Sequence, residues 1–359
     1  MRCLVITKKH ILTVAAAALC ISLLAAGIKS AENKAISAFN PTDIISDALP
    51  SKESPSLIKE IKRKIEEKRN MEYEDILNDY SPVFPDKTPT PEKESASPSP
   101  IQTAAPTPEA TPAPTTAPIE PRSISETKIK NDTSFNYSDL DIQNTQISFK
   151  KGAAVLIIHT HTTESYAGSG DNDENRSVDE EKNMISVGNV LEEELKSAGI
   201  TVIHDKTVHD YPSYRGAYGR SLKTAQNDIE KNPSIAAVID VHRDAIVKSD
   251  GTRVKLVKKV NGEECAQMMV VCGTNGSGLN HPDWQQNLKF SLELTNKVNE
   301  MADGLMRPPN LREERFNQHL TKASIILEIG TNGNTLDEAK RSAKYAGAAL
   351  SEVIKENTH

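Results

Sequence analysis

The chain has 359 residues, 37% of them hydrophobic, and a formal net charge of −7. This acidic balance, with a pI near 5.8, excludes a typical nucleic-acid-binding protein, because contact with the phosphate backbone needs a basic face. The composition is uneven along the chain, and only the second half has the pattern of a packed unit. We therefore predict one globular domain.

The first predicted element is an apolar stretch at residues 11–28, which follows Arg2, Lys8 and Lys9. Its length of about 18 residues is near the minimum for crossing a bilayer, and the basic residues before it place the N-terminus in the cytoplasm. Residues 1–28 are predicted to be a retained membrane anchor, with a cleaved signal sequence as the alternative. The rest of the chain is then extracytoplasmic.

Residues 29–80 form a polar region with one amphipathic patch at residues 56–69. Within this patch Ile58, Ile61 and Ile65 repeat at helical spacing among alternating Lys and Glu. The pattern is typical of a solvated helix. The alternative is a helix that binds a partner near the membrane.

Residues 81–145 are predicted to be a disordered linker. Up to Pro121 this segment consists mainly of Pro, Thr, Ala and Ser, with few large apolar residues. Such a composition cannot bury enough surface to fold and gives an extended spacer. A spacer of this kind suits an enzyme whose substrate is a layer standing off the membrane.

Residues 146–359 alternate between strand and helix patterns, which predicts a catalytic domain of the α/β class. The expected architecture is a mostly parallel twisted sheet flanked by helices, with the chemistry at the carboxyl ends of the strands. The predicted strands are 153–159, 201–204, 235–241 and 324–329, with a hairpin of 254–259 and 267–272 around Asn261-Gly262; the predicted helices are 183–198, 221–231, 290–305 and 336–354.

The four cysteines do not form a metal-binding spacing. Cys3 and Cys20 lie in the N-terminal segment, and Cys265 and Cys272 lie alone in the predicted domain. The latter two are either disulfide-bonded, as an oxidising compartment permits, or two buried free thiols.

Three predicted strands end in residues that suit metal-assisted hydrolysis: 159–161 (His-Thr-His), 242–244 (His-Arg-Asp) and Glu328. Two imidazoles and a carboxylate suit a catalytic Zn²⁺ ion, and a further carboxylate would serve as general base. Each histidine has a structural alternative as a hydrogen-bonded residue. Glu328, however, interrupts an apolar strand, where a carboxylate is costly to bury unless it is paired or functional.

Six motifs occur in a fixed order in the predicted domain. Together they resemble the stage II sporulation protein P family, which is similar in turn to the zinc-dependent N-acetylmuramoyl-L-alanine amidases. The likeness spans about residues 152–354, and the motifs are IIHTHTTESY, VIDVHRDA, GLNHPDWQQNLKFSLEL, GLMRP, FNQHL and ASIILEIGTNGNTLDEA.

This resemblance implies a peptidoglycan hydrolase that cleaves the amide between N-acetylmuramic acid and L-alanine. It implies action on septal wall during engulfment in endospore formation, in a membrane-associated complex with a glycan-cleaving lytic enzyme. Two alternatives stay open: a zinc endopeptidase that cuts cross-links between stem peptides, alone or as a second activity, and a non-catalytic wall-binding scaffold.

The resemblance also implies roles for individual residues. His161 matches the first zinc ligand of the amidases, and His242 matches the second histidine. Glu328 matches the catalytic glutamate. His159 then falls inside the first strand and is expected to be structural.

The remaining zinc ligand is expected to be a glutamate, with the absence of any carboxylate ligand as an alternative. The amidases supply one at the start of the first long helix, which matches Glu181, while Glu180 is adjacent and Glu164 lies close to His161 in sequence. Arg243 is expected either to bind a substrate carboxylate or oxyanion or to form a structural salt bridge.

Overall fold

A computed structural model of the chain describes residues 126–172 and 174–359. The predicted anchor, the amphipathic patch and most of the predicted linker lie outside these residues. In the part that is described, no helix is both long enough and apolar enough to cross a membrane.

The fold is a seven-stranded sheet in the order β1-β8-β7-β9-β4-β2-β3, with a separate two-stranded hairpin of β5 and β6. Neighbouring strands in the large sheet are parallel, except for the antiparallel pair β7–β9. The mixed α/β class predicted from the sequence is confirmed. The strands are β1 (Lys130–Asp132), β2 (Ala154–Ile158), β3 (Thr201–His204), β4 (Ile235–Asp244), β5 (Val257–Val260), β6 (Glu263–Ala266), β7 (Met268–Gly273), β8 (Asn310–Arg312) and β9 (Ser324–Thr331); the helices are α1 (Met184–Ser197), α2 (Ala217–Lys231), α3 (Trp284–Met301) and α4 (Leu336–Glu356).

The central strands are apolar on both faces because helices cover both faces. In β2, Val155 and Ile157 pack into the large core with α1, α3 and α4, whereas Leu156 and Ile158 pack against α2. The same alternation in β4 and β9 directs Asp240, His242 and Glu328 to the side of α2. The chemistry is therefore confined to one face of the sheet.

Local signals in the sequence fix the ends of the helices. Asn183 caps α1 by accepting a hydrogen bond from the Ile185 backbone at 2.9 Å. α4 begins with a capping box in which Thr335 and Glu338 each bond the backbone of the other. α2 begins at Ala217, four residues before the predicted start, after Gly216 adopts a left-handed conformation with φ of 79°.

Two predicted segments differ in the structure. β5 pairs with β6, not with β7, because Asn261-Gly262 forms a two-residue turn with positive φ at both positions, and such a turn joins strands directly. β7 is fully buried and joins the large sheet beside β9 instead.

The folded part also begins earlier than residue 146. β1 lies within the segment predicted as linker and pairs with β8. Ile142 is buried beside Trp284 and Leu311, so these residues of the predicted linker belong to the folded part. Cys265 and Cys272 are free and buried.

Candidate active site

The three strand ends singled out in the sequence meet in the centre of the sheet. β9, β4 and β2 are consecutive strands, and His242 pairs in register with Glu328. His161 follows the end of β2, and its ring centroid lies 5.2 Å from that of His242, with the ring planes nearly perpendicular at 88°. His161, His242 and Glu328 are therefore brought together as the sequence predicted.

The loop that carries His161 is fixed by its threonines. The Thr160 backbone and hydroxyl donate to Asp240 at 2.8 and 2.6 Å, and Thr163 donates to Asp210 in the same double manner. The Thr162 hydroxyl closes the turn on the His159 carbonyl at 2.8 Å. Bonds on every threonine of this loop hold the backbone of His161 in one position.

The His161 ring is buried, with one nitrogen unsatisfied. Nε2 lies 3.0 Å from the Tyr214 hydroxyl, and Nδ1 has no hydrogen-bond partner in the described residues. Burial, with the neighbouring His242 adding to it, holds the pKa of His161 well below its ordinary value. The ring is therefore neutral, with a lone pair available for a ligand.

Glu164 is the glutamate of the three candidates that lies in this site. Its Oε2 is 3.6 Å from His242 Nδ1 and accepts from the Arg243 backbone at 3.2 Å. Glu180 and Glu181 are exposed before α1. The structure places neither of their side chains in a hydrogen bond or ion pair with His161 or His242.

Asp240 lies at the other nitrogen of His242. The Nε2–Oδ1 distance is 2.9 Å, but this nitrogen has no hydrogen-bond partner of good alignment in the described residues. Burial opposes charge on the ring, yet the Asp240 carboxylate outweighs it and raises the pKa of His242 to about 10. Without a competing cation, His242 and Asp240 form a buried ion pair.

Glu328 has an unpartnered carboxyl oxygen at this site. It is half-buried in an otherwise buried strand, and its Oε2 has no hydrogen-bond partner among the described residues. Burial first, and the Asp244 carboxylate second, raise the pKa of Glu328 to about 8. A carboxyl group with a pKa near neutrality in a site of this kind is typical of a general acid or base.

The side chain of Arg243 bonds other groups of the protein. Its Nε donates to the Ser165 carbonyl at 2.8 Å, and its Nη2 donates to the carbonyls of Glu174 and Asn175 at 3.1 and 3.3 Å. The side chain is buried. The guanidinium thus ties the loop before α1 to β4, and its Nη1 lies 3.8 Å from Glu164 Oε1, which is the structural role that the sequence offered as one alternative.

The structure adds residues that the sequence reasoning missed. Tyr214 stacks on His161 at 4.4 Å between ring centroids, and Tyr218 lies edge-on to His161 and parallel to His242. These tyrosines form an aromatic wall, but they come from a loop and a helix start without a recognisable pattern. Asp240, by contrast, interrupts an apolar strand just as Glu328 does, and the same signal was there to find it.

The side chains of this site can be compared with those that hold a catalytic zinc ion. Among residues 126–172 and 174–359, no three His, Cys, Asp or Glu side chains are arranged to hold a metal ion as they stand. Even so, His161 Nδ1 is buried without a hydrogen-bond partner among the described residues, and Glu164 lies beside His242 Nδ1. In metal sites, a ligating histidine commonly bonds a carboxylate through its other ring nitrogen. Two imidazoles and one carboxylate fit the ion in number and kind.

Comparison with known proteins gives one family and several relatives. The profile of the family described as "Stage II sporulation protein P (SpoIIP)" matches residues 41–354. The stage II sporulation protein P of Bacillus subtilis (strain 168) is 27% identical over 212 residues, which are 55% of this chain and 50% of that protein. The chain therefore spans about half the length of this relative.

Solved structures with some similarity are N-acetylmuramoyl-L-alanine amidases. AmiC2 of Nostoc punctiforme is 10% identical with a TM-score of 0.33, over 56% of this chain and 96% of that one. The enzyme of Clostridium difficile 630 is 13% identical with a TM-score of 0.33, over 57% and 95%. The apo form of Ami1 from Mycobacterium abscessus is 11% identical with a TM-score of 0.34, over 59% and 99%. Similarity at this level does not establish a shared activity.

Proposed function

Because the chain belongs to the stage II sporulation protein P family, we propose that it is a peptidoglycan hydrolase that cleaves the amide between N-acetylmuramic acid and L-alanine. The observation that carries the proposal is the pairing of Glu328 with His242 across β4 and β9, with His161 beside them. A carboxylate with a free buried oxygen next to two imidazoles is suited to amide hydrolysis.

The proposed cofactor is Zn²⁺, held by His161, Glu164 and His242. Of the three glutamates that the sequence left open, Glu164 is preferred over Glu180 and Glu181 because it is buried beside His242. When bound there, zinc would supply Lewis acidity that polarises the amide carbonyl.

The residues of the chain supply the remaining chemistry. Glu328 would accept the proton of the attacking water and deliver it to the leaving nitrogen of L-alanine. Asp240, fixed by its two bonds from Thr160, would hold the orientation of His242. Tyr214 and Tyr218 would exclude solvent from the side of α2, since both rings pack against the histidines.

We further propose that the enzyme acts on septal peptidoglycan during engulfment in endospore formation. Support comes from the family and from the N-terminal sequence, where residues 1–28 would anchor the chain in the membrane by a single span and the Pro-rich segment would carry the domain to the wall. A glycan-cleaving lytic enzyme in the same septal complex is the proposed partner.

The test is digestion of purified peptidoglycan by the full chain, with zinc and with a chelator, followed by mass spectrometry of the products. Stem peptides beginning with L-alanine are expected only with metal. The wall should be supplied both cross-linked and as un-cross-linked fragments, because an amidase releases peptide from both and an endopeptidase acts on cross-links alone. Intact fragments under every condition would overturn the proposal in favour of a wall-binding scaffold.

A matched pair of variants tests the ligand set in the same assay. Glu164→Gln is expected to lose bound zinc, measured by elemental analysis after dialysis, whereas Glu181→Gln keeps it. The reverse result would assign the ligand to Glu181.

A further inference from the structure

Arg307 lies at a rigid turn that leads from α3 to the sheet. The Arg307 backbone donates to the Met268 carbonyl at 2.8 Å. Just before it, Met306 is held by the Asn299 side chain, which accepts from the Met306 backbone at 2.9 Å and donates to its carbonyl at 3.2 Å. The side chain of Arg307 therefore starts from a fixed point beside β7.

From this point the side chain reaches across β9. Arg307 Nη2 donates to Asp244 Oδ2 at 2.9 Å, and Asp244 belongs to β4, on the far side of β9 from β7. The guanidinium thus lies over the C-terminal half of β9. This places it near Glu328, and its positive charge there acts to lower the pKa of Glu328, against the larger raising effects of burial and Asp244.

The guanidinium is incompletely paired in this position. A guanidinium carries five N–H donors, and the bond to Asp244 uses one of them. Nε is buried with no hydrogen-bond partner among the described residues, although the side chain as a whole is 18% exposed. An unmet buried donor is unfavourable until an acceptor arrives.

Arg307 differs from Arg243 in how its donors are paired. Arg243 donates from Nε and Nη2 to three carbonyls of the loop before α1. Arg307 instead keeps its buried Nε without a partner among the described residues, beside the acids Asp244 and Glu328. A substrate carboxylate that lay next to Asp244 and Glu328 would be repelled by them unless a cation such as Arg307 lay beside it.

We infer that Arg307 is the substrate-carboxylate subsite of this enzyme, binding a carboxylate of the stem peptide next to the amide that Glu328 serves. The inference rests on the proposed function. A planar fork of donors is the group that recognises carboxylates best in proteins. Two carboxylates can supply this chemistry: that of an acidic residue within the peptide and that at its C-terminus.

The test is steady-state kinetics of the full chain on matched muropeptides. One pair differs in whether the carboxylate of the acidic peptide residue is free or amidated, and the other pair differs in the same way at the C-terminus. Arg307→Gln is expected to raise KM about ten- to a hundredfold for the free acid of one pair, with little change for its amide. Whichever pair responds identifies the carboxylate.

Further variants separate binding from structure. Arg307→Lys keeps the charge but loses the planar fork of donors, so its KM for the free acid should lie between the values of the wild type and of Arg307→Gln. Asp244→Asn should keep the preference for the free acid if Arg307 recognises substrate, and should reproduce Arg307→Gln if the salt bridge is merely structural. Arg312→Gln, an arginine on β8 paired with Glu314, is the matched control.

If Arg307→Gln lowered kcat equally on free and amidated substrates and left KM constant, the assignment of Arg307 to a carboxylate subsite would be wrong. A wild-type chain that releases no peptide from any muropeptide would instead count against the proposed function. In that case calorimetry with the same muropeptides on wild-type and Arg307→Gln protein still decides the subsite. Equal affinities for the two members of both pairs would exclude it.

Discussion

Two histidines stand two positions apart at the end of β2, and their surroundings differ sharply. His159 is paired at both nitrogens: Nδ1 bonds the Val241 carbonyl at 3.1 Å, and Nε2 lies 2.9 Å from His204 Nε2. His204 in turn bonds Glu192 at 2.9 Å. His161, on the opposite side of the sheet, leaves Nδ1 without a partner in the described residues.

This difference teaches how to tell structural from functional polar groups. The group of His159, His204 and Glu192 forms a closed chain from a backbone carbonyl to the surface, which is how buried polar groups are stabilised. The group of His161, His242 and Glu328 instead leaves Nδ1 of His161 and Oε2 of Glu328 buried without a partner among the described residues. Such unmatched atoms cost stability unless a ligand or a reaction uses them.

The largest effect is expected from Glu328→Gln. The amide keeps the shape of the side chain but cannot accept the proton, so turnover should fall by about a hundredfold or more. Stability should stay equal or rise, because a buried carboxyl without a partner is removed. Turnover on peptidoglycan and the thermal midpoint check both parts.

Glu192→Gln is the control from the closed group. It should reduce stability by weakening the bond to His204 and leave turnover unchanged. If Glu328→Gln instead kept activity and lost stability, the two groups would have exchanged roles.

Asp240→Asn is expected to act on metal binding. Asp240 stands behind His242 at 2.9 Å, and removal of such a carboxylate costs about ten- to a hundredfold in metal affinity. Competition with a chromogenic chelator measures the change. Asp250→Asn, in an exposed loop, should bind zinc as the wild type does; a loss in both variants would remove the special role of Asp240.

In the closed group, Gly188→Ala tests the packing. Alanine normally stabilises a helix, but a Cβ here would lie 2.7 Å from His159 Nε2 and 2.8 Å from His204 Nε2. The rings would have to separate and lose their bond, at about 1–3 kcal/mol in the free energy of unfolding. Urea unfolding checks this value, and zinc content should not change. A stabilised variant would show that the rings move freely.

Much of this arrangement could be predicted from sequence because the central strands carry it. His242 and Glu328 are polar interruptions in apolar strands, and the strand-end rule for parallel sheets brings His161 to them. The prediction of their proximity depended on periodicity and on this rule, and the resemblance supplied their expected roles. The register of β4 and β9 then brings His242 beside Glu328.

The rest depended on loop geometry and on a strand direction that periodicity does not give. Glu164 enters the site because the threonine-bonded turn folds it back toward His242, whereas the resemblance pointed to the helix start at Glu181. Arg307 reaches Asp244 only because β7 runs antiparallel beside β9. A parallel β7 would have placed the GLMRP turn at the other end of the sheet.

The smallest expected effect concerns the pH dependence of stability. Burial, aided by His204, lowers the pKa of His159 from 6.5 to about 3. A base with a lowered pKa in the folded state stabilises the protein above its unfolded pKa, and this stability is lost as pH falls below about 6.5, because only the unfolded chain takes up the proton. Between pH 7 and 5.5 the wild type should therefore lose about 1 kcal/mol more than His159→Gln. Urea unfolding at the two pH values gives this difference, and equal losses in the two proteins would mean that the His159 ring is protonated in the folded state and that its group is not closed.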